Sequence, residues 1–262
     1  MAVITLLTDF GLQDGYPGVM KGVIWKIAPN AQIADLSHDI APQNILEAAI
    51  LLSRSYRYFP DETIHVAIVD PGVGTLRRAI AAHIGTYYFV APDNGLLTLI
   101  IEQAEASNLP IEFINLDRPG YWLPSVSNTF HGRDIFAPVA AYLAAGTNIK
   151  ALGTLITDPI RLDIPKPQPS SNGWIGQVIY IDHFGNLSTN LHTDLVGDAD
   201  HVIVKYKGEQ IFGLSKSYAV APSGTLVAVG DSTGSIAISK VNGNAAQTLS
   251  GQVADQVELI LS

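Results

Sequence analysis

The 262-residue sequence has no cysteine. That excludes a disulfide framework, thiol catalysis and thiolate metal sites. Charge is scarce at 15% of residues, and basic charge is the scarcer kind, 15 Lys and Arg against 24 Asp and Glu. A net charge of -9 with no basic patch argues against nonspecific nucleic-acid binding and against an anionic membrane surface. No apolar run is long enough to span a bilayer. The chain enters an apolar β-type run directly after Met1, without a basic leader, so a soluble cytoplasmic protein is expected. No Gly-x-Gly-x-x-Gly follows the first apolar run and no Gly-Lys-Ser motif occurs, so a phosphate-cradling nucleotide site is not supported. No His-x-x-x-His pair is present, which leaves a metal site at Asp9, Asp70, His131 and Asp134 weakly supported, and none is expected.

What the sequence does hold is apolar residues, 47% of the total, enough for a sizeable core. Val3–Leu7, Ile33–Leu36, Ile64–Val69 and Ile111–Leu116 read as buried strands. Helical spacing over Val19–Ile27, Ile45–Phe59 (with Asn44 as N-cap), Leu96–Gln103 and Ile135–Ala145 separates them. Ala79–Ile84 and Tyr87–Val90 flank Gly85-Thr86 as a hairpin. This alternation predicts an α/β domain over 1–162 with a mostly parallel sheet covered on both faces. Asp163–Gly173 is Pro/Ser-rich and reads as a linker. Short β-type runs separated by Gly, Asn, Asp and Ser follow at 174–182, 186–191, 201–205, 225–230 and 236–241, and predict a small all-β, barrel-like domain over 174–262.

Polar residues gather where strands of the first domain end: Asp9 and Asp14, His38 and Asp39, Asp70 with Arg77, and His131 with Arg133 and Asp134. Ligands of open α/β sheets bind at that edge. An Asp, an Arg and a His there can orient and polarise a water molecule. Each residue alone could equally cap a turn. In the second domain, Asp182, Phe184 and Asn186 lie within five positions and could hold an amine, stack on a base and read its edge, although each is also a natural turn residue.

The segments TDFG (8–11), DLSHDI (35–40), VDPGVGT (69–75), PDNGLL (92–97), TFHGRDIFAPVAA (129–141), IDHFGN (181–186) and NGNAA (242–246) together resemble the S-adenosyl-L-methionine (SAM) hydroxide adenosyltransferase family, which is related to the fluorinases and chlorinases. The resemblance implies an enzyme that cleaves SAM to adenosine and L-methionine, with water or hydroxide attacking ribose C5′ and no cofactor or metal. It places the catalytic set on Asp70, Arg77 and His131. It places substrate contacts on Asp9 (ribose hydroxyls), Asp14, Gly132, Asp182 and Ser232 (methionine end), Phe184, Asn186 and Tyr218 (adenine), and Asn242. It also implies a homotrimer with sites at subunit interfaces. In the halogenating relatives the Asp70 position is aromatic and FHGRD is altered, so the residues here favour water over halide. A halide-using adenosyltransferase and a non-catalytic SAM- or adenosine-binding module are the alternatives. Thr233 and Lys240 depart from the family pattern.

Overall fold

The computed structural model describes residues 1–197 and 201–261. The chain divides into two compact units, Met1–Leu162 and Asp163–Ser262.

The first unit is a three-layer α/β/α arrangement. Its strands are β1 (Val3–Thr8), β2 (Gln32–Ser37), β3 (Ile64–Ile68), β4 (Ala79–Ile84), β5 (Tyr87–Pro92), β6 (Ile111–Asn115) and β7 (Thr154–Ile156), in the order β2-β1-β3-β5-β4-β6-β7. The helices are α1 (Tyr16–Ile27), α2 (Ile45–Ser55), α3 (Thr98–Ala106) and α4 (Ala137–Ala144). Alternate residues of a strand point to opposite faces. On β3, Ile64, Val66 and Ile68 therefore pack with Met20 and Ile24 of α1 and Val139 and Ala140 of α4. Ala67 and the following Val69 join Ala48 and Leu52 of α2 and Ile100 of α3 on the other face. A strand buried on both sides reads as a near-continuous apolar run, interrupted in β3 only by His65, which is what makes β3 legible. Asn44 caps α2 as expected, accepting from the Glu47 backbone N–H at 3.1 Å.

The sheet is mixed rather than mostly parallel. Strands β2, β1, β3 and β5 run parallel, whereas β4 pairs antiparallel with both β5 and β6, and β7 antiparallel with β6. The cause is the Gly85-Thr86 turn. A two-residue hairpin forces β4 against β5 in reverse, and Gly85 takes the φ of 61° that such a turn demands.

The second unit is a curved, barrel-like sheet of β8 (Gln168–Ser170), β9 (Gly173–Ile181), β10 (Leu187–His192), β11 (Val202–Tyr206), β12 (Glu209–Phe212), β13 (Leu214–Ser215), β14 (Leu226–Gly230), β15 (Ser235–Lys240) and β16 (Gln256–Leu261), with one short helix, α5 (Ala245–Leu249). Its pairings are antiparallel except β13 with β14. Val178, Leu187, Val204, Tyr206, Ile238 and Leu259 form its core. The Pro/Ser stretch 163–173 departs from a plain linker, because Gln168–Ser170 pairs with the start of β9. Pro169 is tolerated there because β8 lies at the border of the sheet and no further strand needs its missing N–H. Strands β12, β13 and β16 and helix α5 were not legible from the apolar pattern. Among the described residues, no helix is long and apolar enough to cross a membrane.

Candidate active site

The parallel register of β1 and β3 sets Thr8 opposite Ile68. The next residues, Asp9 and Val69-Asp70, therefore leave the sheet side by side at its carboxyl edge. Asp70 begins the Asp70-Pro71-Gly72-Val73-Gly74-Thr75 loop, which turns back on itself through Val73 N–H to Asp70 carbonyl and Thr75 N–H to Gly72 carbonyl. That turn brings Arg77 back to its own strand end. Gly74 has φ 77°, and a Cβ there would stand 2.2 Å from the Asn128 carbonyl oxygen. Only glycine lets this loop lie against the segment that leads into His131.

His131 stands at the start of a π-helical turn, Gly132–Phe136, in which the Ala137 N–H reaches back to the Gly132 carbonyl. Such turns widen a helix locally and occur frequently at functional sites. Asp134, fully buried, anchors this turn. It accepts from the Ser127 N–H and hydroxyl, both at 2.8 Å, and from Arg133 Nε at 2.6 Å. Hydrogen bonds from Arg133 and Ser127 hold its carboxyl below the ordinary carboxylate range, against the upward push of burial.

These loops bring Asp70, Arg77 and His131 into one cluster. Arg77 Nε donates to both carboxylate oxygens of Asp70, at 2.9 and 3.0 Å, and its Nη2 pairs with Oδ2. The same Nη2 lies 2.8 Å from His131 Nδ1. A guanidinium can only donate, so Nδ1 is the acceptor and His131 is the neutral imidazole with its proton on Nε2. Burial and then the Arg77 charge push the His131 pKa down, outweighing Asp70, Asp134 and a hydrogen bond to the Ser127 backbone. The Arg77 guanidinium also packs over the Phe136 ring, 5.2 Å from its centroid. The Asp70 and Arg77 side chains are 6% and 10% exposed, so their attraction is screened far less than that of a surface pair.

The cluster opens into a cleft of about 260 Å³ lined by Asp9, Phe10, Gln43, Asp70, Phe130 and His131, among others. Asp9 Oδ2 accepts from the Gln43 N–H at 2.8 Å. Phe10 and Phe130 meet edge to face with centroids 5.7 Å apart, and Gly132 lies so close beneath them that a Cβ would come within 3.1 to 3.3 Å of both rings. Phe10 and Phe130 sit inside the TDFG and TFHGRD segments, so the signal that could have marked them was present; Gln43 carries no such signal.

Not every strand-end residue joins. Asp14 and Asp39 are exposed and do not line this cleft. Arg133 is paired with Asp134. Arg78, next to Arg77 in the chain, takes other partners. It donates to Asp93 at 2.7 Å and to the Asp158 carboxylate and carbonyl at 2.8 and 2.7 Å, tying the end of β5 to the segment after β7.

In the second unit, Asp182 organises its own loop. It accepts from the Phe184 and Asn186 N–H groups, both at 2.9 Å, and from the Asn186 amide at 2.7 Å. Phe184 is left 72% exposed at the tip. Gly185 packs directly on Asn244, where a Cβ would meet the Asn244 amide at 2.1 Å, so the IDHFGN and NGNAA segments are brought together. Tyr218 lies near Asp182 and Asp231; burial first, then these two charges, push its pKa up. Ser232 is exposed on a turn that Asp231 holds, through the N–H groups of Thr233 at 2.8 Å and Ser235 at 3.0 Å. Asn242 is exposed in a turn with φ 53°.

An α/β unit with a locked Asp–Arg–His cluster at its strand ends, followed in the chain by a barrel-like β unit, defines the general class: an α/β protein with an enzyme-type cleft. Residues 4–153 match the model of the SAM hydroxide adenosyltransferase N-terminal domain, and residues 176–258 match that of the C-terminal domain. The chain belongs to the SAM hydroxide adenosyltransferase family. It is 35% identical to an (R)-S-adenosyl-L-methionine hydrolase of Salinispora arenicola over 98% of this chain and 97% of that protein. It is 31% identical to a fluorinase of an Actinoplanes species over 74% of this chain and 73% of that one. The crystal structure of an uncharacterized conserved protein from Thermotoga maritima superposes with a TM-score of 0.89 at 37% identity, covering 98% of this chain and 99% of that one.

Proposed function

We propose that this protein hydrolyses SAM, the (R) epimer by analogy with its relatives, to adenosine and L-methionine. The observation that carries the reading is the Asp70–Arg77–His131 cluster, hydrogen-bonded and largely shielded from solvent at the edge of a cleft.

The chemistry suits these residues. A water oxygen forms the new bond to ribose C5′, and the C5′–S electron pair leaves with sulfur. The sulfonium departs as a neutral thioether, so the leaving group needs neither an acid nor a metal. The attacking oxygen releases one proton to solvent, so the products are adenosine, L-methionine and one H+. The demanding task is to orient a water and stabilise the negative charge that develops on it. Arg77 supplies a fixed positive charge, Asp70 fixes the guanidinium plane, and His131, held neutral with Nδ1 accepting from Arg77, adds no competing cation. The second reading, halide transfer, draws on the fluorinase relatives, but identity to them is lower and they cover less of this chain.

The cleft is smaller than the roughly 300 Å³ at which ligand pockets usually begin. It suits the ribose and the reacting carbon, with Asp9 on the ribose hydroxyls and Gly132 against the substrate. The domain over 174–262 would then contribute Asp182 and Ser232 to the methionine end, Phe184, Asn186 and Tyr218 to adenine, and a contact from Asn242. We place the protein in the cytoplasm as a homotrimer with active sites at subunit interfaces. Such interfaces would cover Leu76, fully exposed beside Arg77, and, on the second unit, the exposed Phe184.

The test is chromatography of SAM incubated with the protein, with EDTA and with and without chloride. Adenosine and methionine in equal amounts, unaffected by EDTA, are expected, together with loss of turnover in Asp70→Ala and Arg77→Ala. Turnover near the parent level in both variants overturns the assignment. A chlorinated nucleoside in place of adenosine would favour halide transfer.

A further inference from the structure

Behind the cleft lies a second array of polar side chains, which the reaction as described does not use. Thr8 and His38 are buried, at 0% and 3% exposure. Thr8 Oγ1 accepts from the Phe10 N–H at 3.2 Å and lies 2.8 Å from His38 Nδ1. On the far side of the ring, Nε2 is 3.1 Å from Asp35 Oδ1, and Lys21 donates to Asp35 Oδ2 at 2.6 Å. The donors and acceptors order themselves. Asp35 only accepts, so the Nε2 that faces it carries a proton, and on the other side of the ring Nδ1 pairs with the Thr8 hydroxyl. The His38 carbonyl meanwhile accepts from the Gly11 N–H at 2.8 Å, where Gly11 has φ 66°.

His38 thus grips the Thr8–Gly11 loop at both ends, once through Thr8 and once through Gly11. Asp9 lies between the two grips. Its Oδ2 is taken by the Gln43 N–H, and Gln43 adopts the left-handed φ of 66°, a conformation that non-glycine residues seldom adopt and that clusters at functional sites. One carboxylate oxygen of Asp9 is therefore fixed by backbone, and the residue lines the cleft.

We propose that His38 is a positioning residue for substrate binding: acting with Thr8 and Asp35, it presets Asp9 to meet the ribose 2′- and 3′-hydroxyls. This rests on the reading of Asp9 as the ribose contact. Asp35, His38 and Thr8 follow one another as in a catalytic Asp–His–hydroxyl triad, but here the Thr8 hydroxyl accepts from the Phe10 N–H instead of facing substrate. The array orients a loop and performs no chemistry.

The test is calorimetric binding of adenosine and of 2′,3′-dideoxyadenosine to the full-length protein and its variants. His38→Ala should weaken adenosine at least tenfold and dideoxyadenosine less than twofold. In an Asp9→Asn background it should add no further loss, since both changes remove one contact. His38→Asn keeps an acceptor near the Nδ1 position and should restore adenosine to within about threefold of the parent. Thr8→Val provides a second disruption should His38→Ala fold poorly, and thermal unfolding of each variant controls for general damage. Equal weakening of both nucleosides, additive loss with Asp9→Asn, or no discrimination by the parent protein overturns the proposal. SAM turnover by the parent is measured alongside. Hydrolysis without ribose discrimination sinks this inference alone, and discrimination without hydrolysis sinks the functional reading alone.

Discussion

Asp70 and Asp182 are both carboxylates at the end of a β-strand, and both hold turns that the family resemblance assigns to the substrate. They are built in opposite ways. Asp70 meets Arg77 seven positions on, and Arg77 in turn meets His131 another 54 positions away. Asp182 binds groups no more than four positions along the chain. The first arrangement exists only when the whole α/β unit is folded, because β1, β3 and the π-helical turn must all be in place. The second assembles locally, as an Asx-type turn, wherever the chain can reverse. A long-range, nearly buried cluster suits preorganised charge. A local turn with its tip in solvent suits contact with a ligand that arrives from outside. The comparison predicts that damage to the Asp70 cluster appears in rate and damage to the Asp182 turn in affinity.

The largest effect tests the first half. Arg77→Ala should lower kcat by about 10²–10³-fold, equivalent to about 2.7–4 kcal/mol of barrier, with KM little changed. Arg77→Lys should not rescue it, since lysine lacks the fork that spans Asp70 and His131. A variant with parental kcat and raised KM would erase the distinction. Next in size is the neighbouring arginine. Arg78→Ala strips charged hydrogen bonds from Asp93, which is 1% exposed, at a cost of about 2–3 kcal/mol of stability by denaturant unfolding. Its activity per folded molecule should stay within twofold of the parent. Two adjacent arginines would then separate cleanly into rate and stability.

The pH profile comes third. The His131 pKa is depressed in the folded protein, by burial and by Arg77. Its neutral form therefore persists through neutral pH and below the ordinary value of about 6.5. If neutral His131 is required, kcat/KM should be level from pH 8 through 6.5 and fall only at lower pH, up to tenfold per unit. A decline already present above pH 6.5 would contradict the assignment. The same sign governs stability. The unfolded chain takes up a proton before the folded one does, so acidification below 6.5 destabilises the native state. His65, fully buried among aromatic rings with its pKa lowered to about 3, extends that loss toward pH 3. His65→Phe should flatten the decline in stability between pH 6 and 4.

The sequence made the local features legible and left the long-range ones hidden. β3 is buried at every position because both its faces are covered, and apolar at all but His65, and Asn44 announces its helix by capping it. The Gly85-Thr86 hairpin was visible too, and it already implied the antiparallel insertion that makes the sheet mixed. What no local pattern encodes is partnership across distance. Arg77 and Arg78 are adjacent and alike, yet one reaches Asp70 and His131 and the other reaches Asp93 and Asp158. Only the fold decides which. The resemblance to a family pointed to Asp70, Arg77 and His131, which the fold brings together, without revealing that Nδ1 of the histidine accepts from the arginine. Residues 163–173 misled because proline is a breaker in a central strand but not at a sheet border, a distinction that composition cannot make.

The smallest effects test the second half of the comparison. Asp182→Ala removes the carboxylate that receives two backbone N–H groups and the Asn186 amide. It should raise KM for SAM about tenfold, near the value of one charged hydrogen bond, with kcat reduced less than threefold. Phe184→Ala is finer still. The ring is 72% exposed, so removing it costs the free protein little and its melting temperature should not move. If the ring stacks on adenine, its loss should raise KM about fivefold, the low end of base–aromatic stacking at about 1 kcal/mol. The same variant should bind L-methionine as the parent does, because only the base loses a partner. A kcat loss from Phe184→Ala as large as that from Arg77→Ala would instead mean that the exposed tip takes part in setting the reacting geometry, and the division between a preorganised cluster and a receptive loop would have to be abandoned.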